Sequence, residues 1–222
     1  RTLGRGDGAM PMVLPDCAAA AILKLRDRRI VPSNPPIVGL APMSHLELPT
    51  RVANEQINSL EWWADLATKL IEVGFMPKLF CTGNHTDFAQ CADLASLLQA
   101  RGVRIELLPR PETTAEFISH LQSMAHMLCQ RLHASISFYA LGGLPTSLGW
   151  DRKVEEFYAA HGMMQRVLGK STDPGSAASL ITAGRGRPGQ GEQLLSQLRE
   201  GLEVMLNQLP DVRPVTSSRR VA

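Results

Sequence analysis

The chain has 222 residues, of which 44% are hydrophobic and 20% are charged, and this composition excludes disorder of the whole chain. A formal net charge of +2 without a basic stripe argues against a nucleic-acid-binding surface. The longest stretch without formal charge, residues 132 to 150, contains a glycine pair and a proline, so it is not predicted to span a membrane.

The four cysteines, Cys17, Cys81, Cys91 and Cys129, show no Cys-x-x-Cys spacing. At least three of them lie in apolar segments, as buried free thiols do, and this indicates a reducing, cytoplasmic compartment. The chain does not begin with Met and shows no signal peptide, so we expect it to be part of a longer protein.

The first 35 residues do not follow a regular alternation of elements. Residues 12–14 are typical of a strand end, and Asp16 is positioned to cap a short helix over residues 17–25. Residues 26–36 are charged and then Pro-rich, which favours a linker. The main domain is therefore predicted to cover residues 36–170.

Apolar runs alternate with segments of helical periodicity through the main domain. Strands are predicted at 37–41, 76–81, 103–108, 125–129 and 144–149. Helices are predicted between them, at 60–71, 88–98, 114–122 and 134–141. Short connections and a βαβαβαβαβ order predict an α/β fold with a doubly wound parallel sheet, which is Rossmann-like.

The last third of the chain changes character after a further predicted helix from 153 to 160. Residues 171–192 are rich in Gly, Ser and Pro and predict a flexible loop. The Gly-Arg-Gly-Arg-Pro-Gly run at 184–189 resembles a phosphate cradle but lacks a strand–turn–helix context, so the loop is favoured. An amphipathic helix is predicted over 193–210, and 211–222 is predicted to be a tail.

Basic residues follow two neighbouring strands of the predicted sheet. Arg131 and His133 follow the strand at 125–129, and Lys153 follows the strand at 144–149. In open α/β sheets, ligands bind beyond the carboxyl ends of the strands, where helix N-termini present N–H groups. The pattern indicates a site for a small molecule with phosphate or carboxylate groups. The alternative is that each charge is a solvated surface residue.

The loops after the first two predicted strands contain weaker candidates for the same cleft. These candidates are His45, Glu47, His85 and Asp87. Isolated residues of these types are more often surface or capping residues, so they enter the predicted site only as secondary candidates.

Three spaced motifs occur between residues 125 and 162. They are Arg131-Leu132-His133, then Gly143-Leu144-Pro145, then Trp150-Asp151-Arg152-Lys153-Val154. Their order and spacing resemble the polysaccharide pyruvyl transferase family. Cys129 stands where that family usually has Ser, and Trp150 stands where it has Tyr.

This resemblance implies a two-lobed GT-B-type enzyme of which the chain is chiefly the C-terminal lobe. Residues 1–35 would end the preceding lobe, and the helix at 193–210 would cross back towards it. The implied reaction moves pyruvate from phosphoenolpyruvate onto two sugar hydroxyls as a ketal in cell-surface polysaccharide biosynthesis. The acceptor would be a saccharide or lipid-linked saccharide, which would bring the protein to the inner face of the membrane. No cofactor and no metal is required.

That chemistry assigns roles to four residues of the motifs. Arg131 binds an anionic group of the donor, with Leu132 beside it in the substrate-binding signature, and Lys153 supplies a second charge. His133 contacts the donor and transfers a proton. Because the cleft needs two walls, the chain alone is expected to bind the donor without transferring pyruvate.

Two other functions remain open at the level of sequence. One is a nucleotide-sugar glycosyltransferase on the same architecture, since fold does not determine chemistry. The other is a non-enzymatic module that senses a phosphorylated metabolite.

Overall fold

The computed structural model describes residues 33–48, 55–184 and 190–207. The strands in this part of the chain are β1 (Ile37–Ala41), β2 (Met76–Leu79), β3 (Glu106–Leu107), β4 (His126–Cys129), β5 (Pro145–Leu148) and β6 (Val167–Leu168). The helices are α1 (Leu60–Glu72), α2 (His85–Ala100), α3 (Thr114–Gln122), α4 (Leu132–Ala140), α5 (Arg152–Ala160), α6 (Pro174–Thr182) and α7 (Gln190–Asn207).

The six strands form one parallel sheet in the order β3-β2-β1-β4-β5-β6. This order confirms the predicted doubly wound, Rossmann-like sheet. The strand order reverses between β1 and β4. These two strands pair in parallel at the centre of the sheet, and every residue of both is buried. Strands covered on both faces consist of continuous apolar runs, and for this reason the sequence located both of them.

Alternate residues of the central strands enter two hydrophobic cores on opposite faces of the sheet. Leu40 and Leu128 pack on the face that carries α1, α2 and α6. Met127 packs on the other face, against Phe138 of α4. Trp63 of α1 is fully buried in the first core and is a packing residue.

The prediction of a flexible loop over residues 171–192 is wrong for the residues of α6. Asp173 caps this helix by accepting hydrogen bonds from the N–H groups of Gly175 and Ser176, and Pro174 occupies its first turn. Asp-Pro-Gly is therefore a helix start here, although its composition is typical of a loop. The small side chains of the helix pack closely against α1, and Trp62 Nε1 donates to the carbonyl of Thr172 at 2.9 Å.

Other boundaries differ from the prediction by a few residues. The strand expected at 103–108 is reduced to the two residues of β3 at the sheet edge, and the short strand β6 was not predicted. The last helix, α7, begins at Gln190, three residues before the predicted start. Predictions for residues 1–32, 185–189 and 208–222, which include the Gly-Arg run and the tail, lie outside the described residues.

Arg166 is a buried cation that fastens α6 to the sheet. Its side chain is 3% exposed, and its Nη2 donates to Thr146 Oγ1 of β5 at 2.6 Å. The guanidinium also donates to the carbonyls of Leu180, Ile181 and Ala183, at 2.6 to 3.1 Å. These carbonyls form the C-terminus of α6, where the helix dipole favours a cation. Burial lowers the pKa of Arg166.

We expect Arg166→Met to lower the free energy of unfolding by about 2–4 kcal/mol, because several carbonyls and one hydroxyl lose their donor inside the core. The free energy of unfolding of Arg166→Lys should lie between those of the wild type and Arg166→Met, since an ammonium has only three donors. Urea unfolding measures both variants. The control is Arg152→Met, which removes an exposed guanidinium paired with Glu156 and should change stability by less than about 0.5 kcal/mol. Equal stability of the two Met variants would contradict the role of Arg166.

Candidate functional site

The candidate site lies at the carboxyl ends of β1 and β4, where the strand order reverses. The loop after β1, residues 42–48, and the start of α4 border this position. In doubly wound sheets, ligands bind in the crevice that forms at such a reversal.

The N-terminus of α4 differs from the N-termini of the other α-helices whose N-caps the structure describes. Those N-caps accept a hydrogen bond from the first turn through Ser59, Asn84, Thr113, Asp151 or Asp173. The N-cap of α4 is Arg131, which makes no such side-chain bond. An uncapped first turn carries a partial positive charge and suits an anion.

Arg131 is held by a carboxylate of the chain itself. Its Nε lies 2.8 Å from Asp87 Oδ2, and its Nη2 lies 3.0 Å from Asp87 Oδ1. The Asp87 side chain is 2% exposed, and its Oδ1 also accepts from the N–H of Ser44 at 2.9 Å. Glu47 Oε2 lies 3.7 Å from Nη2. Hydrogen bonding to Asp87 raises the pKa of Arg131.

His133 and Lys153 lie on the first turns of neighbouring helices. His133 is exposed at the start of α4, and Lys153 is exposed at the start of α5. Asp151 caps α5 by accepting from the N–H of Lys153 at 2.7 Å. Leu132, which was expected in the substrate-binding signature, is partly buried and packs against the cluster that contains Tyr158. The structure therefore brings Arg131, His133 and Lys153 to one edge of the sheet.

Gln130 is a site residue that sequence reasoning missed. It is 1% exposed, its Oε1 accepts from the N–H of Met43 at 2.6 Å, and its Nε2 donates to Asn58 Oδ1 at 2.7 Å. Trp150 Nε1 donates to the backbone carbonyl of Gln130 at 2.6 Å. A buried side-chain amide needs hydrogen-bond partners. A Gln directly after an apolar strand was therefore the signal in the sequence that could have indicated this network. This network connects the ends of β1, β4 and β5.

Cys129 is structural in this fold. It is fully buried, and desolvation raises the pKa of its thiol to about 12, so the thiol stays protonated and unreactive. Its Sγ lies 3.2 Å from Ser135 Oγ, which lies 2.9 Å from the hydroxyl of Tyr158. Ser147 Oγ donates to the Cys129 carbonyl at 2.6 Å. These contacts fix α4 against β4, β5 and α5.

Gly143, the first glycine of the second motif, and Gly142, the glycine before it, also have structural reasons. Gly142 follows α4 with a φ of 88°, which side-chain-bearing residues rarely adopt. A Cβ on Gly143 would approach the ring of Phe138 to 2.4 Å. The motif therefore shapes the return from α4 to β5 and supplies no group to the site.

The weaker loop candidates divide into two pairs. Glu47 and Asp87 join Arg131, whereas His45 and His85 are exposed residues at the same edge. Among the described residues, no group of three or more His, Cys, Asp or Glu side chains could hold a metal ion. No helix in the described part of the chain is long and apolar enough to cross a membrane.

No family model matches the chain, and no curated protein matches its sequence. Among solved structures, the chain is similar to the OtsA apo structure, with a TM-score of 0.50 and 9% identity over 88% of this chain and 50% of that one. A trehalose-phosphate synthase (UDP-forming) from Burkholderia vietnamiensis gives a TM-score of 0.47 and 10% identity over 88% and 51%.

The similarity to the OtsA apo structure shows the class of fold. The chain is a Rossmann-like lobe of GT-B type and spans about half the length of the chains it matches. Identities near one in ten establish the fold alone, so the activity has to be argued from the site.

We predict a large coupling between Asp87 and Arg131 in stability. Arg131→Leu leaves a buried carboxylate without its cation and should lower the free energy of unfolding by about 3 kcal/mol or more. Asp87→Asn should cost less, because the guanidinium is 25% exposed and keeps access to water. In the double variant the two costs should not add, and urea unfolding of the three variants completes the cycle. Additive costs would show that the ion pair contributes nothing of its own.

Proposed function

We propose that this chain is the donor-binding lobe of a two-lobed transferase that acts on sugars, with a phosphate group of the donor at the N-terminus of α4. The observation that carries this proposal is the uncapped start of α4 at the reversal of strand order. Backbone N–H groups at a helix N-terminus point towards a bound anion, and the positive end of the helix dipole favours negative charge there.

The side chains around this helix start support a phosphorylated donor. Lys153 is exposed on the first turn of α5, and His133 is exposed on the first turn of α4. An ammonium group adds attraction for a phosphate or carboxylate, and an imidazole can exchange a proton near neutral pH.

The comparisons favour a nucleotide sugar as the first donor candidate. OtsA, whose apo structure shares the fold, is a trehalose-6-phosphate synthase. Glycosyl transfer would then move the sugar to an acceptor hydroxyl, with the nucleotide phosphate leaving against the N-terminus of α4.

Phosphoenolpyruvate is the second candidate, and a separate observation favours it. The residues that resemble pyruvyl transferases, Arg131, His133 and Lys153, follow β4 and β5, which are adjacent strands. Two sugar hydroxyls would attack C2 while the methylene carbon gains a proton and inorganic phosphate leaves. His133 would carry that proton.

Ligand-dependent melting of the full-length protein tests this proposal. UDP-glucose, UDP and phosphoenolpyruvate are titrated separately, and a ligand at 100 times its Kd should stabilise the fold by about 2.7 kcal/mol. A shift with UDP-glucose supports glycosyl transfer, and a shift with phosphoenolpyruvate alone supports pyruvyl transfer. Absence of any shift would overturn the proposal. Binding without turnover on any sugar acceptor would favour a sensing module.

Lys153→Ala should raise the KM for the donor about tenfold and leave kcat and the acceptor KM nearly unchanged, because one charge contact to the donor is lost. Lys153→Arg should restore part of the loss. The control is Lys69→Ala, which removes an exposed ammonium that pairs with Glu72 on α1. Identical kinetics for Lys153→Ala and Lys69→Ala would make Lys153 a surface residue.

His133→Asn should lower kcat on the order of 10²-fold and keep most of the donor binding, since Asn can hydrogen bond but cannot transfer a proton. Turnover and melting temperature are measured on the same preparation. If the variant melts earlier and its folded fraction turns over normally, His133 has a structural role only.

A further inference from the structure

Two carboxylates contact the guanidinium of Arg131, and they come from different elements. Asp87 lies in the first turn of α2, and Glu47 lies in the loop after β1. Their side chains are 2% and 39% exposed, respectively. Two acidic residues on one cation leave an excess of negative charge at a site that we propose to bind an anion, and this needs an explanation.

Asp87 holds Arg131 rigidly. Both of its oxygens accept from the guanidinium, through Nε and Nη2, in the side-on arrangement that fixes the plane of the group. The bond from the N–H of Ser44 adds the loop after β1 to the same carboxylate. Asp87 thus links the chain beyond three adjacent strands, β2, β1 and β4, and the direction of the guanidinium is set before any ligand arrives.

Glu47 holds Arg131 loosely. Its Oε2 lies 3.7 Å from Nη2, beyond hydrogen-bond length, and its Oε1 accepts from Thr86 Oγ1 at 3.3 Å. Asp87 uses one of the two hydrogens on Nη2, so the second remains within reach of Glu47. An exposed carboxylate at this distance contributes little to stability.

We propose that Asp87 positions Arg131 for an anionic group of the donor and that Glu47 is an internal competitor, which the donor displaces from the guanidinium. This inference rests on the proposed function in so far as the donor is phosphorylated. The two carboxylates then act in opposite directions on the same guanidinium: one prepares it for the ligand, and the other delays the ligand.

Opposite effects separate this inference from simpler accounts. If only net charge mattered, removal of either carboxylate would tighten anion binding. If both residues were only structural, neither removal would tighten it. The inference alone requires that loss of Glu47 tightens binding and that loss of Asp87 weakens it.

The experiment is calorimetric titration of the full-length protein with inorganic pyrophosphate and, separately, with phosphoenolpyruvate. For Glu47→Gln we expect Kd to fall about two- to fivefold, which corresponds to the loss of one exposed competing ion pair. For Asp87→Asn we expect Kd to rise about tenfold or more, because the guanidinium loses its fixed direction. The control is Glu156→Gln, which removes an exposed carboxylate of α5 that pairs with Arg152 and should leave Kd within twofold.

A second measurement reports on Arg131 without any ligand. The Nε–H of Arg131 donates to Asp87, so its NMR resonance should exchange slowly with water in the wild type and in Glu47→Gln, and rapidly in Asp87→Asn. If Asp87→Asn does not fold, Asp87→Glu replaces it, since it keeps the charge and displaces the carboxylate by one methylene. Weaker binding is expected for this variant too.

The outcomes distinguish this inference from the proposed function. Binding by the wild type with equal or weaker binding by Glu47→Gln overturns the competitor role and leaves the proposed function intact. Unchanged or tighter binding by a folded Asp87 variant overturns the positioning role. No binding of either anion to the wild type and to Glu47→Gln overturns the roles of both carboxylates, whereas the proposed function is decided by the melting experiment with UDP-glucose, UDP and phosphoenolpyruvate.

Discussion

The bidentate pair between Asp87 and Arg131 is the interaction on which the ligand edge of this sheet depends. It joins the first turn of α2 to the N-cap of α4, and the N–H of Ser44 adds the loop after β1. Because the carboxylate is almost fully buried, it cannot lose its cation without a large cost. The same contact therefore sets both the stability of the edge and the direction of the cation.

Buried polar contacts behind this edge fix the helix start that is proposed to bind phosphate. The amide of Gln130 connects the loop after β1 to the end of β4. The thiol of Cys129 contacts the hydroxyl of Ser135, which in turn hydrogen bonds to the hydroxyl of Tyr158. Each of these groups has a partner, so a change in one leaves another unsatisfied. A rigid frame lowers the conformational entropy that the site must lose when a donor binds, which is the advantage of preorganisation.

The fold and the site answer different questions about function. A doubly wound lobe presents a crevice at its strand reversal whatever it binds, and lobes of this architecture serve unrelated chemistries. The choice between a nucleotide sugar and phosphoenolpyruvate depends on the few groups at the starts of α4 and α5. Arg131, partly neutralised by Asp87 and Glu47, is a weaker anion site than its charge suggests, and the uncapped helix gains importance accordingly.

The sequence by itself determined the alternation of elements and the place of the candidate site, because buried parallel strands are continuous apolar runs and Arg131 and His133 directly follow one of them. The prediction made from local composition was wrong at α6, where small residues typical of a loop form a helix that packs closely against α1. Only the tertiary structure joined Asp87 to Arg131, 44 residues away, and Gln130 to Met43, 87 residues away. Such partners meet because β1 lies between β2 and β4, and the order of strands in a sheet has no counterpart in the local periodicity of the chain.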